Sequence, residues 1–227
     1  MIKNFLLLSV FFSLSVHAQT VFEEKFDTEE SVVLWSREDL DGDGMEWDFY
    51  DAEESQLANF TGGIAVSFSW LIDPLTPDNT LTSPVIKLPN ANELILDFKV
   101  AGAAEDSFKE HYAVYVIPAN STFTGSETPV FEETLDAAYL DVAKKVNVDI
   151  STYAGQDVQL VFRHYDVTDQ LYIILDEIRI TKDNLSTTEV NQLKAVVYQD
   201  QVNGLVKIAN VNQVERVELF DLAGKLL

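Results

Sequence analysis

Cysteine is absent from all 227 residues. That excludes a disulfide framework, a thiol nucleophile and any zinc site built on thiolates. Bases are scarce, with 15 lysines and arginines against 38 acids and a net charge of −23. A surface this acidic repels phosphate backbones and anionic membranes and attracts cations, so nucleic acid bound by charge neutralisation is excluded as a partner. Glycine-rich phosphate loops of the expected spacing are missing. Long apolar runs are missing too. The best candidate, residues 5–16, has 12 residues, where a membrane-spanning helix needs about 20.

That run reads instead as the centre of a secretory signal. Lys3 precedes it, and Val16-His17-Ala18 closes it on the small residue that a signal peptidase needs. Residues 1–18 are therefore expected to be cleaved, leaving 14 bases, 38 acids and a net charge of −24. The mature chain is expected to be exported, secreted or held at the outer-membrane surface, with no membrane insertion of its own. Something other than disulfides must then hold it together.

At 47% hydrophobic and 23% charged residues, the remainder is an ordinary globular sequence rather than a disordered one. Its dominant period is two. Leu94, Leu96, Phe98 and Val100 share one face, while Glu93, Asp97 and Lys99 take the other. Val146, Val148 and Ile150 alternate with Lys145, Asn147 and Asp149, and Val158, Leu160 and Phe162 line the next segment. Further strands are expected over 21–26, 64–70, 81–88, 112–117, 130–135 and 172–181. Turn-forming clusters separate them, among them Asp41-Gly42-Asp43-Gly44, Gly62-Gly63 and Pro77-Asp78-Asn79. Many short strands so punctuated predict an all-β fold, an antiparallel β-sandwich or jelly roll, over 19–182. The single helical candidate is a short one over 136–142. A polar linker is expected over 183–194. Strands resume over 195–198, 205–208 and 214–220, so 195–227 reads as a partial small β domain. At 33 residues it falls below the roughly 40 that a metal-free, disulfide-free unit usually needs.

Two carboxylates fall in phase with apolar neighbours. Glu24 alternates with Phe22 and Phe26, and Asp176 with Tyr172, Ile174, Ile178 and Ile180. A buried anion without a partner is costly. Either a hard cation such as Ca²⁺ lies between the first and last strands, or backbone amides or an arginine such as Arg163 satisfy each carboxylate. A second cluster, Asp39-Leu40-Asp41-Gly42-Asp43-Gly44, matches the first half of an EF-hand loop. Its twelfth position is Tyr50 rather than glutamate and neither flank is helical, so it is either a calcium loop of another kind or an Asp/Gly turn.

For catalysis the chain offers little. His111 and His164 are the histidines left after signal cleavage, and His164, in phase with Leu160 and Phe162, reads as a core residue. No pair among the acids stands out for glycoside hydrolysis. Trp35, Trp47 and Trp70 either pack in the core or stack on sugars.

Several of these segments together resemble one family, the cleaved adhesin domains of gingipain-type proteases and other Bacteroidetes surface proteins. The matching pieces are Phe22-Glu23-Glu24-Lys25-Phe26, the 39–44 loop with Trp47, Val66-Ser67-Phe68-Ser69-Trp70, Leu81-Thr82-Ser83-Pro84 and His111-Tyr112-Ala113-Val114. The strongest is Phe162-Arg163-His164-Tyr165 with Thr168-Asp169 and Tyr172 through Ile178. The resemblance implies a calcium-stabilised jelly roll used for adhesion rather than catalysis. It also implies calcium ligands at Glu24, Asp39, Asp41, Asp43 and Asp176. The implied partners are a host or matrix protein or a glycan; a carbohydrate-binding accessory module of a secreted hydrolase is the alternative. The last block, through Gly204-Leu205-Val206-Lys207-Ile208 and Val217-Glu218-Leu219-Phe220, resembles a type IX secretion-sorting tail. It stops before the closing strands of such a tail, so a fragment or a degenerate tail is expected, with the type IX secretion machinery as its partner.

Overall fold

The computed structural model describes residues 19–183 except 56, 58, 120 and 141, together with Val196–Gln199, Val206–Ala209 and Lys225. The first strands in the chain are β1 (Gln19–Glu24), β2 (Ser36–Asp39), β3 (Asp48–Asp51), β4 (Gly63–Phe68), β5 (Asp78–Thr82) and β6 (Ile86–Lys87). There follow β7 (Leu94–Gly102), β8 (His111–Pro118), β9 (Phe131–Thr134), β10 (Lys144–Asp149), β11 (Asp157–Tyr165) and β12 (Tyr172–Lys182). They form two antiparallel six-stranded sheets. The first runs β10-β7-β12-β4-β3, with β1 also paired to β12; the second runs β2-β5-β11-β8-β9, with β6 on β11.

The fold is a jelly-roll β-sandwich, and the alternation explains why. Leu96, Phe98 and Val148 from the first sheet meet Tyr112, Val114, Leu160 and Phe162 from the second in one buried cluster. Trp35 and Trp47 are buried in that core, so they are packing residues rather than sugar platforms. β8 and β11 are covered on their outer face as well, where Tyr115 and Val161 lie against Phe123. This is why β8 reads as a continuous apolar run from Tyr112 to Ile117 rather than a clean alternation.

Four local expectations need correction. No helix forms over the described part of 136–142. Tyr139 takes a left-handed backbone at φ 59, which ends any right-handed helix there. A one-turn helix α1 (Glu29–Val32) forms instead, capped by Thr28, whose hydroxyl accepts the Ser31 N–H at 3.2 Å. The expected strand over 81–88 is two strands, parted at Pro84, which has no N–H to give a ladder. Pro77-Asp78-Asn79 is not a free-standing turn, because Asp78 and Asn79 open β5. Finally, β2 and β3 were not expected. Ser36-Arg37-Glu38-Asp39 has no apolar alternation, because it is an edge strand held by pairing with β5.

Residues His17–Asp183 make one compact unit. A second unit contains the hairpin of β13 (Val196–Gln199) and β14 (Val206–Ala209), paired antiparallel from Val196↔Ala209 to Gln199↔Val206. Two of the three strands expected in the tail are thus found. The third, over 214–220, lies outside the described residues, as do residues 1–18 and the linker beyond Asp183.

Candidate metal centre

The acidic loop spans the rim of the sandwich. Asp39 closes β2 opposite Asn79 in the second sheet, and Asp48 opens β3 opposite Val66 in the first. Between them the chain turns twice through left-handed glycines, Gly42 at φ 77 and Gly44 at φ 86. A Cβ at either would meet nothing within 4 Å, so glycine stands there for its backbone and not for space. Asp39 organises the turn, accepting the Gly42 N–H at 2.7 Å and the Gly44 N–H at 2.8 Å. Asp43 accepts the Met45 N–H at 2.7 Å.

The oxygens of Asp39, Asp41 and Asp43 converge within 4.8 Å of one another. Partial burial and hydrogen-bond contact with Asp39 push the Asp41 carboxyl up to about 6. The same contact, with the Gly44 amide, holds Asp39 below its usual range. A proton shared between Asp39 and Asp41, or a cation bound beside them, relieves their mutual repulsion. An all-oxygen set on a tight loop is the donor chemistry of a hard divalent ion, so these three residues fit calcium.

The two strand carboxylates lie at a second place, the break where β12 changes partner. Residues Tyr172 to Leu175 pair with β4, and Ile178 to Lys182 pair with β1. The register slips between Asp176 and Arg179, with Glu177 in a left-handed conformation at φ 48. This bulge changes the phase expected from sequence. Ile173, Leu175, Ile178 and Ile180 face the core between the sheets, whereas Ile174 belongs to the cluster on the outer side. Asp176 stands opposite Lys99 on that outer side, and Glu24 stands opposite Ile178 on the inner one. The strands are neighbours as expected, but the two carboxylates do not share a face.

Their partners differ too. Glu24 accepts the Lys25 N–H at 2.9 Å, the Phe26 N–H at 2.6 Å and the Trp35 Nε1–H at 2.9 Å. Backbone amides therefore serve it, one of the alternatives left open by the sequence. Asp176 is only 1% exposed and accepts the Glu177 N–H at 2.5 Å. Burial pushes it up to about 7, and the nearby charges of Glu177 and Asp27 add to the effect. Asp27 in turn receives the Gly63 N–H at 3.0 Å. Arg163 takes no part, because it forms a bidentate pair with Asp78 at 2.6 and 2.8 Å.

His164 is a core residue, as its phase suggested, but it belongs to a network that the sequence did not reveal. Its Nδ1 meets Ser67 Oγ at 2.8 Å and its Nε2 meets Glu110 Oε2 at 2.9 Å. Glu110 Oε1 also accepts Ser69 Oγ and the Leu171 N–H, both at 2.9 Å. Ser67, His164 and Glu110 have the membership of a nucleophile, base and acid, yet all are 0% exposed. No substrate reaches them. They join the two sheets. Lys109-Glu110-His111 reads as a polar turn, so only tertiary pairing could reveal that Glu110 is buried.

Residues 19–180 match the family model of the Cleaved Adhesin Domain. Hemagglutinin A of Porphyromonas gingivalis is 30% identical over 202 residues, which cover 80% of this chain and 9% of that protein. Lys-gingipain W83 from the same organism is 33% identical over 156 residues, 64% of this chain and again 9% of the relative. The chain thus spans under a tenth of the length of these relatives. Among solved structures, the K1 cleaved adhesin domain of Lys-gingipain superposes with a TM-score of 0.58 at 30% identity. That likeness covers 70% of this chain and 96% of the domain.

Proposed function

Because the chain belongs to the cleaved adhesin domain family, we propose that it is a non-enzymatic adhesin module, exported and stabilised by calcium, that attaches a host or matrix protein or a glycan at the cell surface. The observation that carries this reading is the match over 19–180, which takes in nearly all of the sandwich. Calcium would be held at the rim by Asp39, Asp41 and Asp43. A second ion would sit at the strand break, at Asp176 and its neighbour Asp27, with Glu24 on the opposite face held by backbone amides and Trp35. The ion supplies positive charge among converging carboxylates and, at the break, ties the segment after β1 to β12. The tail hairpin is read as part of a type IX sorting signal.

Hemagglutinin A by its name agglutinates erythrocytes, so erythrocytes are the natural first target. The test is saturable binding of the labelled, purified chain to erythrocytes and to immobilised matrix proteins, in millimolar calcium and in chelator. Binding that falls on chelation is expected. Failure to bind either surface under both conditions would refute the adhesin reading.

A further inference from the structure

A pocket of about 350 Å³ opens beside the acidic loop, inside the size range of small-ligand sites. Its walls are Gly44, Met45 and Glu46 from the loop, Arg37 from β2, Asp48 and Tyr50 from β3, and Phe68 from the end of β4. The polar groups are fixed in advance. Arg37 Nη1 donates to the Trp47 carbonyl at 3.1 Å and to Asp48 Oδ1 at 3.0 Å, and its Nη2 lies 3.3 Å from Glu46 Oε1. The loop wall is held by the aspartates themselves, through the bonds from Gly44 to Asp39 and from Met45 to Asp43.

Aromatic surface completes it. Tyr50 is 41% exposed and meets Phe68 edge-on at 6.3 Å, and Phe68 meets Tyr172 at 5.2 Å. These rings lie on the outer face of the first sheet. Among the described residues Tyr50 is the exposed aromatic, whereas Trp35 and Trp47 are buried and Trp70 is half-buried.

We infer that this pocket binds a neutral saccharide, stacked on Tyr50 and hydrogen-bonded by Arg37, Glu46 and Asp48. The inference deepens the adhesin reading and rests on it, naming the glycan and its site. A sugar hydroxyl both donates and accepts, which matches a guanidinium set between two carboxylates. Arg37 is outnumbered by Glu46 and Asp48 in the pocket wall, so the pocket itself is net negative and repels sialylated or sulfated sugars. A lysine or arginine from a protein partner would need acceptors alone and would be opposed by Arg37.

The test is a glycan array probed with the full chain in millimolar calcium. It carries neutral oligosaccharides ending in glucose, galactose, mannose or xylose, their sialylated and sulfated counterparts, and an oligolysine peptide. Saturable binding to a neutral saccharide is expected. Tyr50→Ala should weaken it at least about tenfold while Tyr50→Phe stays within about threefold, since the ring and not the hydroxyl does the stacking. Tyr50→Phe should melt with the parent, and Tyr50→Ala should stay folded with only the small loss that its edge contact with Phe68 accounts for. Binding to anionic sugars or oligolysine alone, or a Tyr50→Ala variant that binds as the parent does, overturns the inference. Erythrocyte binding without any saccharide binding also overturns it, but leaves the adhesin reading standing. Loss of erythrocyte and matrix binding together refutes that reading itself.

Discussion

Asp176 is the carboxylate for which charge and position conflict most. Burial pushes it from 3.8 up to about 7, with Glu177 and Asp27 adding to the shift and Lys99 opposing it. A folded-state value raised this far means the folded chain holds the proton more tightly than the unfolded chain does. Without calcium, its contribution to stability is therefore complete below pH 4 and is lost as pH rises from about 4 to 7. A rise from 3.8 to about 7 corresponds to about 4 kcal/mol at most. Calcium reverses the sign, because only the deprotonated carboxylate binds it and acid releases it. Asp176→Asn should thus be more stable than the parent in chelator at pH 8, with the gap narrowing toward pH 5, and less stable in excess calcium. Thermal melts of both proteins under these three conditions check it. A parent that melts identically with calcium and with chelator refutes the metal at this site. The sequence revealed that Asp176 is buried, because its neighbours alternate. It did not reveal which face, because a bulge leaves no mark in a pattern of apolar residues.

At the scale of elements, close approaches between strands decide which substitutions are tolerated. A Cβ on Gly63 would lie 1.9 Å from the Phe26 carbonyl oxygen, which is backbone and cannot swing aside. Gly63→Ala should cost about 2–3 kcal/mol, by forcing the start of β4 away from the end of β1. Gly44→Ala meets nothing and should cost only about 1–2 kcal/mol for its left-handed backbone. Denaturant melts of the two variants give the order, and equal costs would deny the close packing at the junction. The network around His164 makes a second case. Glu110→Ala strands Ser69 Oγ, the Leu171 N–H and His164 Nε2, and should cost about 3–5 kcal/mol. Glu110→Gln, which keeps an acceptor, should cost clearly less. The long strands of the core were legible because their period is strict, as in β7. Edge strands β2 and β3 were not, since pairing rather than side-chain pattern forms them, whereas the acidic loop they frame was legible from the spacing of its aspartates and glycines.

For the whole molecule, a net charge of −23 without a single disulfide poses one problem, and added ions bear on it in two separable ways. Monovalent salt screens self-repulsion everywhere, over a Debye length of about 10 Å at 0.1 M. Calcium at a few millimolar barely changes ionic strength, so any stabilisation it adds beyond sodium must come from sites. At 100 times its dissociation constant it contributes about 2.7 kcal/mol, which for a sandwich of this size is roughly 5–10 °C in thermal midpoint. The charge and the missing cysteines made this need visible from sequence, while the order of strands in each sheet did not follow, because it is set by pairings far apart in the chain. All of the candidate ligands fall within the His17–Asp183 unit. A chain ending at Asp183 should therefore melt with the full chain and show the same calcium increment over matched ionic strength in sodium chloride. Calorimetry of both chains in sodium chloride, calcium and chelator measures this. A truncated chain that melts lower shows that the tail supports the sandwich, and a calcium increment no larger than that of matched sodium reduces the acidic loop to an Asp/Gly turn.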